Sequence, residues 1–248
     1  MDHKERPNVS ILTPIYDRKE FLPLMIDNMK LISDYPRNKL EWVILDSHSR
    51  DGVVAEKLFN SQEEIDQVSS EIGIKIIYEY KNERLSIGKK RNMLVKMASH
   101  NHLINMDSDD IYFPHYILYS ISCLIHNKKG CVGSPQMLFM YPHHDYKITA
   151  IQCEANRQIH EATICFTRKH WKRMGGFETS NQGEGAKMVD GCNEKFFMKT
   201  EITKCMICVC HDNNTVGKEQ FFKDDLIING LTEIDNIPQV STIKKMLE

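Results

Sequence analysis

Ile104-Asn-Met-Asp-Ser-Asp-Asp110 is an apolar strand pattern that ends in three carboxylates within four positions. Like charges this close raise one another's pKa unless a cation neutralises them. The cluster therefore reads either as a metal-diphosphate site or as an acidic turn in which Asp110 caps the next helix. The segments on either side decide between the two.

Upstream, Val9-Ser-Ile-Leu-Thr-Pro14 is a β-branched run stopped by proline, which suits a buried strand opening into the loop of Ile15, Tyr16, Asp17 and Arg18. Phe21, Leu24, Met25, Met29 and Ile32 then recur at helical spacing. Trp42-Val-Ile-Leu45 is a second strand, followed by polar turn chemistry from Asp46 to Gly52. A weakly periodic helix over about 54–72 breaks at Gly73, and Ile74-Lys-Ile-Ile-Tyr78 is a third strand. Ser86 is placed to cap a helix that carries Lys89, Lys90 and Arg91. His102-Leu-Ile-Asn-Met106 then delivers the acidic cluster.

Downstream, Pro114 suits the first turn of a helix running to about His126. Residues 132–141 and 146–152 read as hairpin strands with His143-His144 at the tip, and 162–166 as another strand. A short helix over 168–174 stops at Gly175-Gly176, a further helix spans 186–198, and 204–210 is a closing strand. Strands alternating with helices predict an α/β fold with a mostly parallel central sheet flanked by helices and a small antiparallel element in the second half. In such sheets ligands collect at the carboxyl ends of the strands.

At 248 residues, one large domain is expected, and a net charge of −2 with 27% charged residues gives no global bias toward nucleic acid. No apolar run is long enough for a transmembrane segment, and the amino terminus lacks the apolar core of a signal peptide, so the expectation is a soluble cytoplasmic protein. Its eight cysteines are then expected as thiols. Cys205, Cys208, Cys210 and His211 invite a zinc reading, but on a strand Cys205 points away from Cys208 and Cys210, so the ligands do not converge.

Three loops at strand ends thus gather Tyr16, Asp17 and Arg18; Asp46 and Asp51; and Asp107, Ser108, Asp109 and Asp110. A nucleoside diphosphate needs a cradle for base and ribose, a cation for its phosphates and donors for the leaving group. Five segments together resemble a family 2-type glycosyltransferase of the GT-A (Rossmann-like) fold: Pro14-Ile-Tyr-Asp-Arg18, Val43-Ile-Leu-Asp-Ser-His-Ser-Arg-Asp-Gly52, Gly88-Lys-Lys-Arg-Asn92, Met106-Asp-Ser-Asp-Asp110 and Gly175-Gly-Phe-Glu178. They stand in the family's order across roughly residues 8–215.

The resemblance implies a GT-A domain over 1–216, with a nucleotide-binding half at about 8–112 and an acceptor half at about 113–216, leaving 217–248 as a C-terminal extension. It implies that Pro14 and Tyr16 hold the nucleoside, that Asp46 hydrogen-bonds the base and that Arg91 sits near the diphosphate. Asp107 and Ser108 would face the nucleotide sugar. Asp109 would be the principal ligand of Mn2+ or Mg2+, with Asp107 and His211 as further ligands; hard carboxylate oxygens suit hard cations that bridge phosphates. Where the family has a second aspartate after Asp46 this chain has Ser47, which leaves the nucleotide open, with UDP favoured. Where members carry an acidic pair, this chain has Glu184 between Gly183 and Gly185. Glu184 is thereby implied as the base on an acceptor hydroxyl, ahead of Glu178 and Asp190.

The implied activity is metal-dependent, inverting transfer from a nucleotide-sugar donor to a glycan, protein or small-molecule acceptor. Two other readings stand beside it. A nucleotidyltransferase would normally carry a glycine-rich basic loop after the first strand, which Thr13-Pro-Ile-Tyr-Asp-Arg18 is not. A catalytically silent nucleotide- or sugar-binding module is the other.

Overall fold

A computed structural model of the chain describes residues 6–48, 56–153, 159–189, 195–212, 214, 217–228 and 237–247. The first strand, β1 (Val9–Ile15), pairs in parallel with β2 (Leu40–Ser47) on one side and β4 (His102–Asn105) on the other. β3 (Lys75–Lys81) extends the parallel array beyond β2. β9 (Cys165–Thr167) runs antiparallel between β4 and β6 (Cys131–Gly133), and β10 (Phe197–Lys199) closes the edge in parallel with β6. The sheet order is therefore β10-β6-β9-β4-β1-β2-β3. This is the expected α/β architecture.

Burial explains why these runs form central strands. Every residue of β2 is buried, and β1 is buried except at Pro14, as a sheet covered on both faces requires. One face packs against α1 (Leu22–Leu31) and α4 (Tyr116–His126), and the other against α3 (Ile87–Met97) through Leu94 and Val95. α2 (Gln62–Ile72) starts at Ser61, whose hydroxyl accepts from the Glu64 amide, and ends at Gly73 with φ 66°. It is shorter than the 54–72 expected, and residues 49–55, with Asp51, lie outside the described residues.

A second sheet, ordered β5-β11-β7-β8, supplies the antiparallel element. It consists of β5 (Asp110–Tyr112), β11 (Met206–Val209), β7 (Gln136–Tyr141) and β8 (Lys147–Gln152). Two expectations are corrected here. Residues 132–141 are not one strand: the chain leaves β6 at Ser134-Pro135 and enters β7 in the other sheet. Asp110 is not a helix cap: it begins β5, where its Oδ1 accepts from the Val209 amide at 3.2 Å. α4 starts at Tyr116, so Pro114 lies before its first turn.

The hairpin tip falls at Pro142–His144, as expected. α5 (Arg168–Met174) matches its expected bounds; of the helix expected over 186–198, α6 covers Ala186–Val189, residues 190–194, with Asp190, lie outside the described residues, and Phe197 and Met198 belong to β10. α7 (Gln239–Leu247) packs on α1, and Gln239 donates to the Tyr112 carbonyl and to Asn28 Oδ1. Among the described residues the cysteines are free thiols, no three metal-ligating side chains cluster, and no helix is long and apolar enough to cross a membrane.

Candidate active site

The basic helix and the Gly-Gly-Phe turn form one unit, although about 85 residues separate them. Ser86 Oγ accepts from the Lys89 amide and starts α3, as expected. Asn92 then binds both backbone groups of Phe177: Oδ1 accepts its N–H at 2.8 Å and Nδ2 donates to its carbonyl at 2.8 Å. One turn earlier, the Gly88 amide donates to Ser180. A Cβ on Gly88 would stand 1.6 Å from the Glu178 carbonyl oxygen, so only glycine lets the loop lie on the helix. This contact brings Glu184 over α3.

At the centre of the resulting cleft, Arg91 is 1% exposed and bridges two carboxylates. Its terminal nitrogens each donate at 2.9 Å to the two oxygens of Asp107, and Nε donates at 2.9 Å to Glu184 Oε1. Burial alone would lower the guanidinium pKa, but Asp107 and Glu184 raise it above its ordinary value. The Asp107 carboxyl is raised by burial against the pull of Arg91. A fork-to-carboxylate pair of this kind fixes direction as well as charge.

Asp109 lines the same cleft. Its Oδ2 lies 3.1 Å from His211 Nε2 and accepts from Arg18 Nε at 3.4 Å. The His211 ring is steadied by Phe21, with centroids 4.7 Å apart. Burial works to raise the Asp109 pKa, yet the His211 hydrogen bond and the charges of Lys218 and Arg18 hold it below the usual carboxylate range. Burial, with Asp109 and Asp107 close by and Lys218 opposing, pushes Asp110 up to about 8. Ser108 between them is buried.

The expected ligands Asp107, Asp109 and His211 differ in how free they are to hold a divalent cation. Asp109 and His211 offer an oxygen and a nitrogen that already converge, while both oxygens of Asp107 are taken by Arg91. Two side-chain ligands suffice for a cation that completes its shell with phosphate oxygens and water. A carboxylate oxygen suits Mn2+ and Mg2+ alike, and the imidazole nitrogen is tolerated better by Mn2+ than by the harder Mg2+.

The cleft encloses about 280 Å³, and Arg91, Asp107, Asp109 and Glu184 line it. Pro14, Tyr16 and Asp46 do not; they lie at the adjoining ends of β1 and β2. Asp46 is 1% exposed, and its Oδ2 accepts from the Leu58 amide and the Tyr78 hydroxyl, each at 2.9 Å. Ser47, standing where a second aspartate was expected, shapes the next loop: its hydroxyl donates to the Glu83 carbonyl and accepts from the Leu85 amide. Arg18 links the two regions through Asp109.

Four residues to which sequence reasoning gave no role share the site. Lys90 is buried, donates to the carbonyls of Ile15 and Ser47, and lies 5.1 Å from the Tyr16 ring centroid. Burial lowers its pKa to about 7. His160, Glu161 and Lys218 also line the cleft. Burial pushes His160 down to about 3, and its Nε2 lies 3.4 Å from Cys208 Sγ. The sequence pattern carries no signal for these three, because each arrives from a segment remote from the acidic cluster.

Solved structures with the same fold include a mannosyltransferase, PcManGT, from Pyrobaculum calidifontis in complex with GDP-Man and Mn2+. It is 17% identical with a TM-score of 0.60, over 89% of this chain and 61% of that one. TarS residues 1–349 from S. aureus, in complex with UDP-GlcNAc, is 12% identical with a TM-score of 0.59, over 84% of this chain and 60% of that one. The chain thus spans about three fifths of the length of these proteins. No curated relative matches the sequence. The model of the family described as glycosyl transferase family 2 matches residues 10–206, which include every residue lining the cleft except Asn214 and Lys218, and the chain belongs to that family.

Proposed function

We propose that the protein transfers a sugar from a nucleotide-diphosphate sugar to an acceptor hydroxyl, with the diphosphate seated between Asp109 and Arg91. The observation that carries this reading is that Asp109, Lys218, Arg91, Asp107 and Glu184 line one cleft, with His211 and Arg18 bound to Asp109 and Arg91 paired with Asp107 and Glu184. Positive charge and metal-type ligands gather around Asp109 beyond the carboxyl end of β4, where an anionic leaving group is best stabilised. Asp109 and His211 would hold Mn2+ or Mg2+. When bound, that cation neutralises charge developing on the diphosphate oxygens.

The chain's own residues do the rest. Arg91 fixes Asp107 and Glu184 in place before substrate arrives, Arg18 and Lys218 bring positive charge to the diphosphate, and Tyr16 and Asp46 flank the nucleoside. A carboxylate on the Glu161 and Glu184 side removes the acceptor proton. Attack from that side in a single displacement inverts the anomeric configuration. PcManGT was solved with GDP-Man and TarS with UDP-GlcNAc; UDP is favoured here as the nucleotide.

A thermal-shift panel of UDP-, GDP- and CMP-sugars, with and without Mn2+, tests the reading. A ligand at 100 times its Kd contributes about 2.7 kcal/mol, which for a domain of this size is a rise of several degrees. One donor class should produce that rise only with metal. A flat panel would refute it.

A further inference from the structure

We infer that Glu161, rather than Glu184, is the base that takes the proton from the acceptor hydroxyl. This assignment rests on the glycosyl-transfer reading above and names the residue that reading leaves open. As the acceptor oxygen bonds to the anomeric carbon, its proton passes to the Glu161 carboxylate. The bond from that carbon to the diphosphate oxygen breaks, and its electron pair leaves with the nucleoside diphosphate.

The other acids of the cleft are engaged. Both oxygens of Asp107 accept from Arg91, Glu184 Oε1 accepts from Arg91 Nε, and Asp109 meets His211 and Arg18. Asp110 is 3% exposed and accepts from the Val209 amide. A carboxylate already accepting a hydrogen bond from a guanidinium is a poorer proton acceptor. Glu161 receives backbone hydrogen bonds, from its own amide and that of Gly185, while the ion pairs of the cleft go to its neighbours.

Its placement is rigid and specific. Glu161 opens a 3-10 turn, Glu161–Thr163, whose first carbonyl accepts from Asn105 Nδ2 on β4 at 2.8 Å. The next, that of Ala162, accepts from the Tyr116 hydroxyl at 3.1 Å. Glu161 lies against Gly185: a Cβ there would stand 2.6 Å from Glu161 Cγ. The residue after Glu184 is bare backbone, and the Glu161 side chain fills the space its side chain would take. Burial and the charge of Glu184, with Arg91 opposing, push Glu161 up to about 7, the range in which a carboxylate serves as a base near neutral pH.

The test follows release of nucleoside diphosphate from UDP-glucose, UDP-GlcNAc and GDP-mannose with Mn2+ and water as acceptor, alongside calorimetric Kd values for UDP and GDP. Glu161→Gln should lower turnover by about 10²–10⁴-fold and leave the nucleotide Kd within about threefold. Glu184→Gln, acting through Arg91 and Asp107, should weaken nucleotide binding instead. Moving the carboxylate across the contact, in Glu161→Ala combined with Gly185→Asp, should recover turnover about tenfold or more over Glu161→Ala alone, which a merely structural glutamate would not allow. Turnover within about threefold of wild type in Glu161→Gln, or a loss confined to donor affinity, would overturn the assignment. A wild-type protein that binds neither nucleotide and cleaves none of the three donors would overturn the glycosyl-transfer reading itself, and the assignment with it.

Discussion

Arg91 holds two carboxylates with one buried guanidinium, and that ratio sets what its replacement does. Arg91→Ala would leave Asp107 and Glu184 facing each other without a cation. Breaking a buried pair in this way costs about 3–5 kcal/mol, so urea unfolding should show a loss of that order. Arg91→Lys keeps the charge but not the fork, and should fold with a smaller loss while binding nucleotide poorly. Lys90 carries a pH signature. Its pKa falls from 10.5 to about 7 in the folded protein, so between those values the unfolded chain binds the extra proton and stability rises with pH. The desolvation penalty is fully present below pH 7. Against a Lys90→Met variant, the wild type should gain unfolding free energy from pH 6 to 9, by at most about 1.4 kcal/mol per pH unit; equal pH profiles would show that Lys90 keeps its proton. Residues 89–91 read as one basic run in the sequence, and only the helical phase separates exposed Lys89 from buried Lys90 and Arg91.

At the scale of elements, the decisive contact is α3 under the 177–184 loop. Gly88→Ala would force the Glu178 carbonyl away, moving Glu184 relative to Arg91. Donor turnover should fall by about tenfold or more, since small misplacements of a catalytic constellation are costly, while the melting temperature changes by only a few degrees. Unchanged turnover would mean the loop does not hold the site. The central strands were legible because burial on both faces writes itself as apolar runs, Ile11-Leu12 within Val9–Ile15 and Trp42–Leu45 within Leu40–Ser47. The second sheet was legible only in its hairpin and closing strand, and its β5 edge was not. β5 is three residues long, begins with Asp110, and finds its partner β11 about 95 residues later. Neither propensity nor periodicity carries such a long-range pairing.

For the whole molecule, the segment set apart from its sequence as an extension reaches back into the body. Lys218 lines the cleft, Ile227 bridges to Thr149, and Val240 and Ile243 are buried in the main core. Truncation after residue 216 should therefore lose stability as well as nucleotide affinity, because each buried Val or Ile side chain contributes about 1.5–3 kcal/mol. Differential scanning calorimetry of the shortened chain checks this, and an unchanged transition would contradict the packing of α7 on α1. The acidic cluster led to the cleft because the order of strands, loops and the basic helix is a one-dimensional record of the parallel sheet. Charge balance across the cleft is not recorded in that way: Arg18, Lys218 and His211 meet Asp109 only after the chain has closed on itself. The most direct measurement of the account is nucleoside diphosphate release from a nucleotide sugar by wild type and Asp109→Ala, each with Mn2+ and with chelator. Wild type with Mn2+ should release it, while the variant and the chelated enzyme should fall by about 10²-fold or more; release that persists in Asp109→Ala or without metal would contradict it.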